Sequence, residues 1–390
     1  MPRVLPVVAA LVSALLLAAA AHAQNPQFKA NPGSADPEIA FFGGTYYLTS
    51  TRSNRIRTST DLRTWRESGR RMFTKKGAPR WSRDTKVYGP KIYFSDALGK
   101  YVLFFNAIHK TKGRHCIGRA VAKGDEPYDF VNAGRETFNP NSSVQRGPFE
   151  CEDGKGGLSP SQYSLIDQSI FQDPKNPQNA YLLYKRDFPR ASGRTKDIVI
   201  RPISPDLTRL GPKPKPILTA EAGTWEDTPS QGAPSVEAPK MIYRAATDRY
   251  YVFYSGSSFT RDTYAVGVAA SLKGAANGPM GTFKKFGRNP ILRGIGDEAF
   301  CGVGSQEVLD FGGDRWGIFY HAYRGGGDIC APKPRDPKKP KKRRFLMADA
   351  LNWNQRGGNP AVDNFWPSVN DGTPSGDGNF AGKLQPAPRR

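Results

Sequence analysis

The sequence predicts an all-β chain folded as a five-bladed β-propeller, and three observations carry that expectation. Of its 390 residues, 41 are glycine, 33 are proline and 11% are aromatic, a composition of short strands joined by turns. Long apolar patterns of helical period are almost missing. One unit, an apolar strand, an Asp/Gly turn, an aromatic strand and a third strand, recurs five times. Its starts lie roughly fifty to eighty residues apart, which is blade spacing for a propeller with long loops. An irregular β-sandwich with accidental likeness between its strands is the competing architecture.

The first unit runs from Asp36-Pro37-Glu38-Ile39 to Phe42, turns at Gly43-Gly44 and returns as Thr45 to Thr49. A polar turn from Ser59 closes on Trp65. The second begins Tyr88-Gly89-Pro90-Lys91, turns at Asp96 to Lys100, and continues as Tyr101 to Phe105 and Ile117 to Ala122. The third pairs Leu165 to Phe171 with Ala180 to Tyr184 across the turn Gln172 to Asn179. The fourth places Glu237 before a short run, Met241 to Tyr243. Asp248 marks its turn, and Tyr250 to Tyr254 and Tyr264 to Ala270 follow. The fifth spans Gly302 to Leu309, a turn at Gly312 to Arg315, Trp316 to His321 and Phe345 to Trp353.

Outside the repeat, residues 1–23 read as a secretory signal: Arg3, an apolar stretch from Val7 to Ala20, and the small-x-small site Ala21-His22-Ala23. The apolar stretch is short for a membrane span. The expected product is a secreted, extracellular, monomeric chain of one propeller domain, residues 24–390, that neither enters a membrane nor binds nucleic acid. Four cysteines in an exported chain suggest disulfides, and three pairings are open from sequence alone. Cys116–Cys151 and Cys301–Cys330 are favoured, because neighbours in sequence tend to be neighbours in a repeat fold. No spacing suits zinc. The net charge of +22 is concentrated in Lys333 to Arg344, where Lys and Arg alternate with proline. This basic loop in blade five reads as a solvated segment with weak affinity for anionic polysaccharide.

In a propeller the first strand of each blade lines the central axis, so residues at its start converge at one end of the channel. Asp36, Gly89-Pro90, Asp167, Glu237 and Gly304-Ser305 are expected at that place. A lone carboxylate there can be a rim ion pair. Three converging acids are unfavourable in a low-dielectric pit unless one is protonated, and that arrangement points to chemistry.

With these residues in view, the chain resembles glycoside hydrolase family 43, five-bladed propellers that cleave arabinose- and xylose-containing plant polysaccharides. The likeness runs from Ala35 to about Trp353. Asp36-Pro37-Glu38-Ile39 resembles the family's opening segment, Ile166-Asp167-Gln168-Ser169-Ile170-Phe171 its second motif, and Val236-Glu237-Ala238-Pro239 the segment carrying the acid. The resemblance implies Asp36 as general base, Glu237 as general acid and Asp167 as the residue that tunes the acid and orients substrate. Inverting hydrolysis needs one ionised and one protonated carboxyl, and no cofactor. A structural calcium on the axis is a further implication, weakened because Ser305 stands where many members carry a histidine. Tyr88-Gly89-Pro90 replaces the usual Trp-Ala-Pro platform. Phe41, Tyr88, Trp81 and Trp225 are candidate sugar-stacking surfaces that read equally as packing residues. His321 and Arg324 are candidate site residues in blade five.

The leading expectation is a secreted inverting glycosidase on arabinofuranosyl or xylosyl linkages. The alternatives are a glycan-binding propeller without catalysis, supported by the altered Tyr88-Gly89-Pro90 and Ser305 segments, and a related five-bladed enzyme on another glycan such as galactan, fructan or a mannoside. Segments of the kind expected in fructan-cleaving relatives are not found in the sequence.

Overall fold

The computed structural model describes residues 33–74, 77–135, 147–152, 163–189, 192–227, 233–272, 278–294, 300–324 and 343–353. The signal segment, Cys330 and the basic loop as far as Lys342 lie outside them, and so does the side chain of Arg324.

Blade one is β1 (Glu38–Phe42), β2 (Thr45–Thr49), β3 (Arg55–Ser59) and β4 (Arg66–Arg71). Blade two is β5 (Tyr88–Ser95), β6 (Lys100–Ile108), β7 (His115–Ala122) and β8 (Phe130–Asn132). Blade three is β9 (Ser164–Gln172), β10 (Ala180–Asp187), β11 (Asp197–Ile203) and β12 (Lys215–Thr219). Blade four comprises β13 (Val236–Arg244), β14 (Arg249–Gly256), β15 (Ala265–Ser271), β16 (Phe283–Lys285) and β17 (Leu292–Arg293). Blade five is β18 (Phe300–Asp310), β19 (Trp316–Arg324) and β20 (Arg344–Leu351). The five sheets form a five-bladed β-propeller, each with its strands in sequence order from the axis outward and antiparallel to their neighbours.

Two blades depart from the four-stranded pattern of the others. Blade four gains β17, which pairs with β15 beside β16. Blade five has three strands among the described residues, and the chain ahead of blade one lies against its outer edge. Gly33 bridges Phe345, and Ser34 N–H donates to the Arg344 carbonyl at 2.8 Å. The beginning of the described chain is thereby tied to the last blade, which joins blade one to blade five.

Apolar faces explain the stacking. Five clusters of buried side chains each lie between adjacent blades: one and two, two and three, three and four, four and five, and five and one. Alternation along each strand sends alternate side chains to the two neighbouring interfaces, so both blade faces are covered. Cys116 on β7 is bonded to Cys151, Cα to Cα 4.6 Å, inside the cluster between blades one and two. Cys301 is disulfide-bonded, and its expected partner Cys330 lies outside the described residues. Among the described residues, no helix is long and apolar enough to cross a membrane.

Candidate active site

At the start of each innermost strand one residue takes a left-handed conformation: Asp36 (φ 51°), Gly89 (49°), Asp167 (57°), Ala238 (51°) and Ser305 (55°). In blades two to five the strand register slips at this point, a bulge that turns the backbone toward the axis. Gly89 tolerates this readily, and Asp tolerates it better than most residues. Ala238 and Ser305 are strained there by about 1–3 kcal/mol each, a cost the surrounding fold must offset. The fivefold pattern corrects the expected equivalence of the acids. In blade four the matching position is Ala238, and Glu237 stands one residue earlier.

Asp36 is held by a guanidinium and hydroxyls. Arg344 Nη1 lies 2.9 Å from Asp36 Oδ1. Burial raises the pKa of Asp36, but Arg344 and the hydroxyls of Thr51 and Ser305 outweigh it, so the carboxyl sits below its ordinary value and is ionised. His321 is buried beneath it, with Nδ1 accepting the Asp36 N–H at 3.2 Å and Nε2 3.4 Å from Arg344 Nη1. Burial, then Arg344, pulls His321 down to about 3, so it stays neutral.

Asp167 and Glu237 form a second group. Asp167 Oδ2 accepts the N–H of Ala238, the residue after Glu237, at 3.1 Å. Its own N–H donates to Asn106 Oδ1 at 2.8 Å. Burial first, then the charges of Glu237 and Asp36, pushes Asp167 up to about 8 against the pull of Lys185. Beside Glu237, Asp167 thus keeps its proton through neutral pH. Glu237 Oε1 accepts from Tyr264 OH at 2.7 Å, and Oε2 from Lys185 Nζ at 2.8 Å. Lys185 also lies 3.4 Å from Asp187, which Lys196 approaches at 3.1 Å.

Tyr264 is kept in place by a missing side chain. A Cβ on Gly304 would collide with the Tyr264 ring and with Ser255 Oγ. Gly304→Ala is expected to push the ring away from Glu237, lowering turnover more than thermal stability. Unchanged kinetics in a folded variant would show that the Tyr264–Glu237 hydrogen bond is dispensable.

The predicted acids and His321 are brought together, and Tyr88 stands just before Gly89 at the same end. Tyr88 is partly exposed, edge-on to His115 with ring centres 4.8 Å apart and beneath the Arg52 guanidinium. Three proposed stacking surfaces are corrected. Trp81 is buried, stacked on Phe105 and His109, with Nε1 donating to Asn132 Oδ1. Phe41 packs on Tyr46, 4.4 Å between ring centres, and lies five residues down the strand from Asp36, about 16 Å along an extended chain. Trp225 lies over the blade-four face, its ring pressed on Gly256 and Gly267 beside Tyr254. The packing reading holds for all three, since aromatic identity does not reveal which blade face a side chain covers. Arg324 ends β19 opposite Phe300.

Sequence reasoning missed Arg344, Lys185, Tyr264 and Thr51. Arg344 was counted as the last charge of a solvated loop, yet it is the first residue of β20, pairs with Tyr323, and its side chain is only 15% exposed. Lys185 carried a usable signal: a charge at the inner end of an apolar strand, where it must find a carboxylate.

One step deeper along the axis, the second residue after each left-handed position is Glu38, Lys91, Ser169, Lys240 and Glu307. Lys240 lies 2.5 Å from Glu38 and 3.1 Å from Glu307, while Lys91 lies 3.8 Å from Glu38 and also contacts Glu307.

A family model for glycosyl hydrolases family 43 matches residues 30–357. None of the curated proteins matches the chain. Among solved structures, a thermostable family-43 glycoside hydrolase is similar at TM-score 0.63 and 22% identity, over 92% of this chain and 96% of that one. An α-L-arabinofuranosidase from Lactobacillus brevis is similar at TM-score 0.60 and 18% identity, over 92% and 96%. An α-L-arabinanase from Cellvibrio cellulosa complexed with arabinohexaose gives TM-score 0.56 and 19% identity, over 87% and 96%. A propeller with three acids gathered at one end of its axis, matched over most of its length by that family model, belongs to glycosyl hydrolases family 43 and is a glycosidase.

Proposed function

We propose that the chain is a secreted inverting glycosidase acting on arabinofuranosyl or xylosyl linkages of plant cell-wall polysaccharides. One observation carries the mechanism: an ionised, cation-held Asp36 shares the pit with an Asp167–Glu237 pair that retains a proton. Asp36 draws a proton from water as the water attacks the anomeric carbon. Glu237 delivers the pair's proton to the leaving oxygen, and Asp167 keeps that proton available by like-charge repulsion. Similar structures described as an arabinofuranosidase and an arabinanase favour pentose linkages. The amino-terminal pattern of charge and apolar residues and the Cys116–Cys151 bond favour export.

Incubation with arabinan, arabinoxylan, xylo-oligosaccharides and galactan tests this reading, with products sized by chromatography and the first-formed anomer read by NMR. Pentose release with inversion is expected. Retention of configuration overturns the mechanism, release from galactan alone overturns the substrate class, and binding without release supports a lectin.

The pH profile follows from the same groups. Asp167 is raised, so it carries a proton below about pH 8 and loses it above. The alkaline limb of kcat/KM is expected near pH 8, with activity falling as pH rises. Lys185→Met removes a cation that opposes protonation, so the limb should move upward by about 1–3 units, while Lys185→Arg should leave it nearly in place. A limb that stays put in Lys185→Met assigns it to another group.

A further inference from the structure

We infer that Lys91 and Lys240 are the axial cations of this propeller, occupying with their own ammonium groups the place a central calcium would take. Four of the five blades send a charged residue to one level of the axis, about 7 Å beyond the left-handed positions by strand rise. Each of the two ammonium groups contacts both carboxylates, so the four contacts close on themselves. Lys240 reaches Glu38 at 2.5 Å and Glu307 at 3.1 Å; Lys91 reaches Glu307 and, at 3.8 Å, Glu38. Their side chains are between 3% and 12% exposed. The fifth blade supplies Ser169, whose hydroxyl donates to the Pro239 carbonyl at 2.7 Å.

Calcium takes six to eight oxygen ligands. The two axial carboxylates each face two ammonium groups, and no cluster of three or more His, Cys, Asp or Glu able to hold a metal occurs among the described residues. Ser305, in the blade-five position discussed for a metal, turns its hydroxyl to Asp36. Burial pushes Glu38 up and Lys91 down, both to about 8, while Glu307 is held down to about 2 and Lys240 is held charged. The ring is therefore net positive below that pH and repels a divalent cation. Buried charges of this kind are tolerated only when every member keeps its partners.

The assignment is independent of the reaction proposed above and is tested without an activity assay. The full chain, dialysed against metal-free buffer, should contain well under one calcium per molecule by mass spectrometry. Its melting temperature should be the same in EDTA and in calcium chloride. Lys91→Met and Glu307→Gln should each lower the melting temperature by several degrees, and the double variant by less than the sum, because it removes one charge of each sign. One calcium per chain, whose removal by EDTA lowers the melting temperature, overturns the assignment. So does strict additivity of the two substitutions.

Discussion

Glu237→Gln is expected to lower kcat/KM on natural polysaccharide linkages by about 10²–10⁴-fold, the usual contribution of a general acid. The amide keeps the size of the side chain, and its oxygen can still accept from Tyr264 or Lys185, which hold the carboxylate at 2.7 and 2.8 Å. What it lacks is a proton to give. A sugar leaving group departs as a poor alkoxide and needs that proton, whereas a nitrophenolate leaves without it. The loss should therefore shrink steadily as the leaving group becomes more acidic across a series of aryl glycosides. Lys185 remains paired with Asp187 in the variant, so the fold should persist. Equal losses on every leaving group would mean that Glu237 positions substrate and donates nothing.

The blade order and the gathering of the three acids were legible because each rests on local rules. Strand alternation and Asp/Gly turns show in a sequence, and a lone carboxylate before an apolar run is conspicuous. Asp36 and Asp167 fall on the left-handed positions. Glu237 was placed one step out of frame, since the bulge that puts Ala238 at φ 51° leaves no mark in residue identity. Arg344 was hidden for a different reason. A Lys/Arg/Pro run is ordinarily solvated, and only β20 pairing with β19 turns its last member inward toward an acid 308 residues away. The aromatic candidates failed on facing. Trp81 and Phe41 belong to the clusters on either side of blade one, and no period in the sequence distinguishes a rim tryptophan from a core one. The axial ring was invisible as a unit, because its members become neighbours only when five distant strands close a circle.

Asp36→Asn is expected to abolish turnover on natural linkages and activated aryl glycosides alike, which separates it from the acid variant. The base acts on the water, and a better leaving group does not replace that step. Its carboxylate is ionised because Arg344 at 2.9 Å and the hydroxyls of Thr51 and Ser305 outweigh burial. An amide in the same place cannot take a proton from water and leaves the Arg344 charge facing a neutral group. His321 cannot substitute, since it is buried and neutral and its Nδ1 is committed to the Asp36 backbone. The loss should be at least the 10²–10⁴-fold typical of a general base. Azide, already anionic and needing no deprotonation, should restore part of the rate on aryl glycosides by attacking the anomeric carbon from the water side, giving a glycosyl azide of inverted configuration. A glycosyl azide of retained configuration would place the nucleophile elsewhere, and full activity in Asp36→Asn would remove this carboxylate from the reaction.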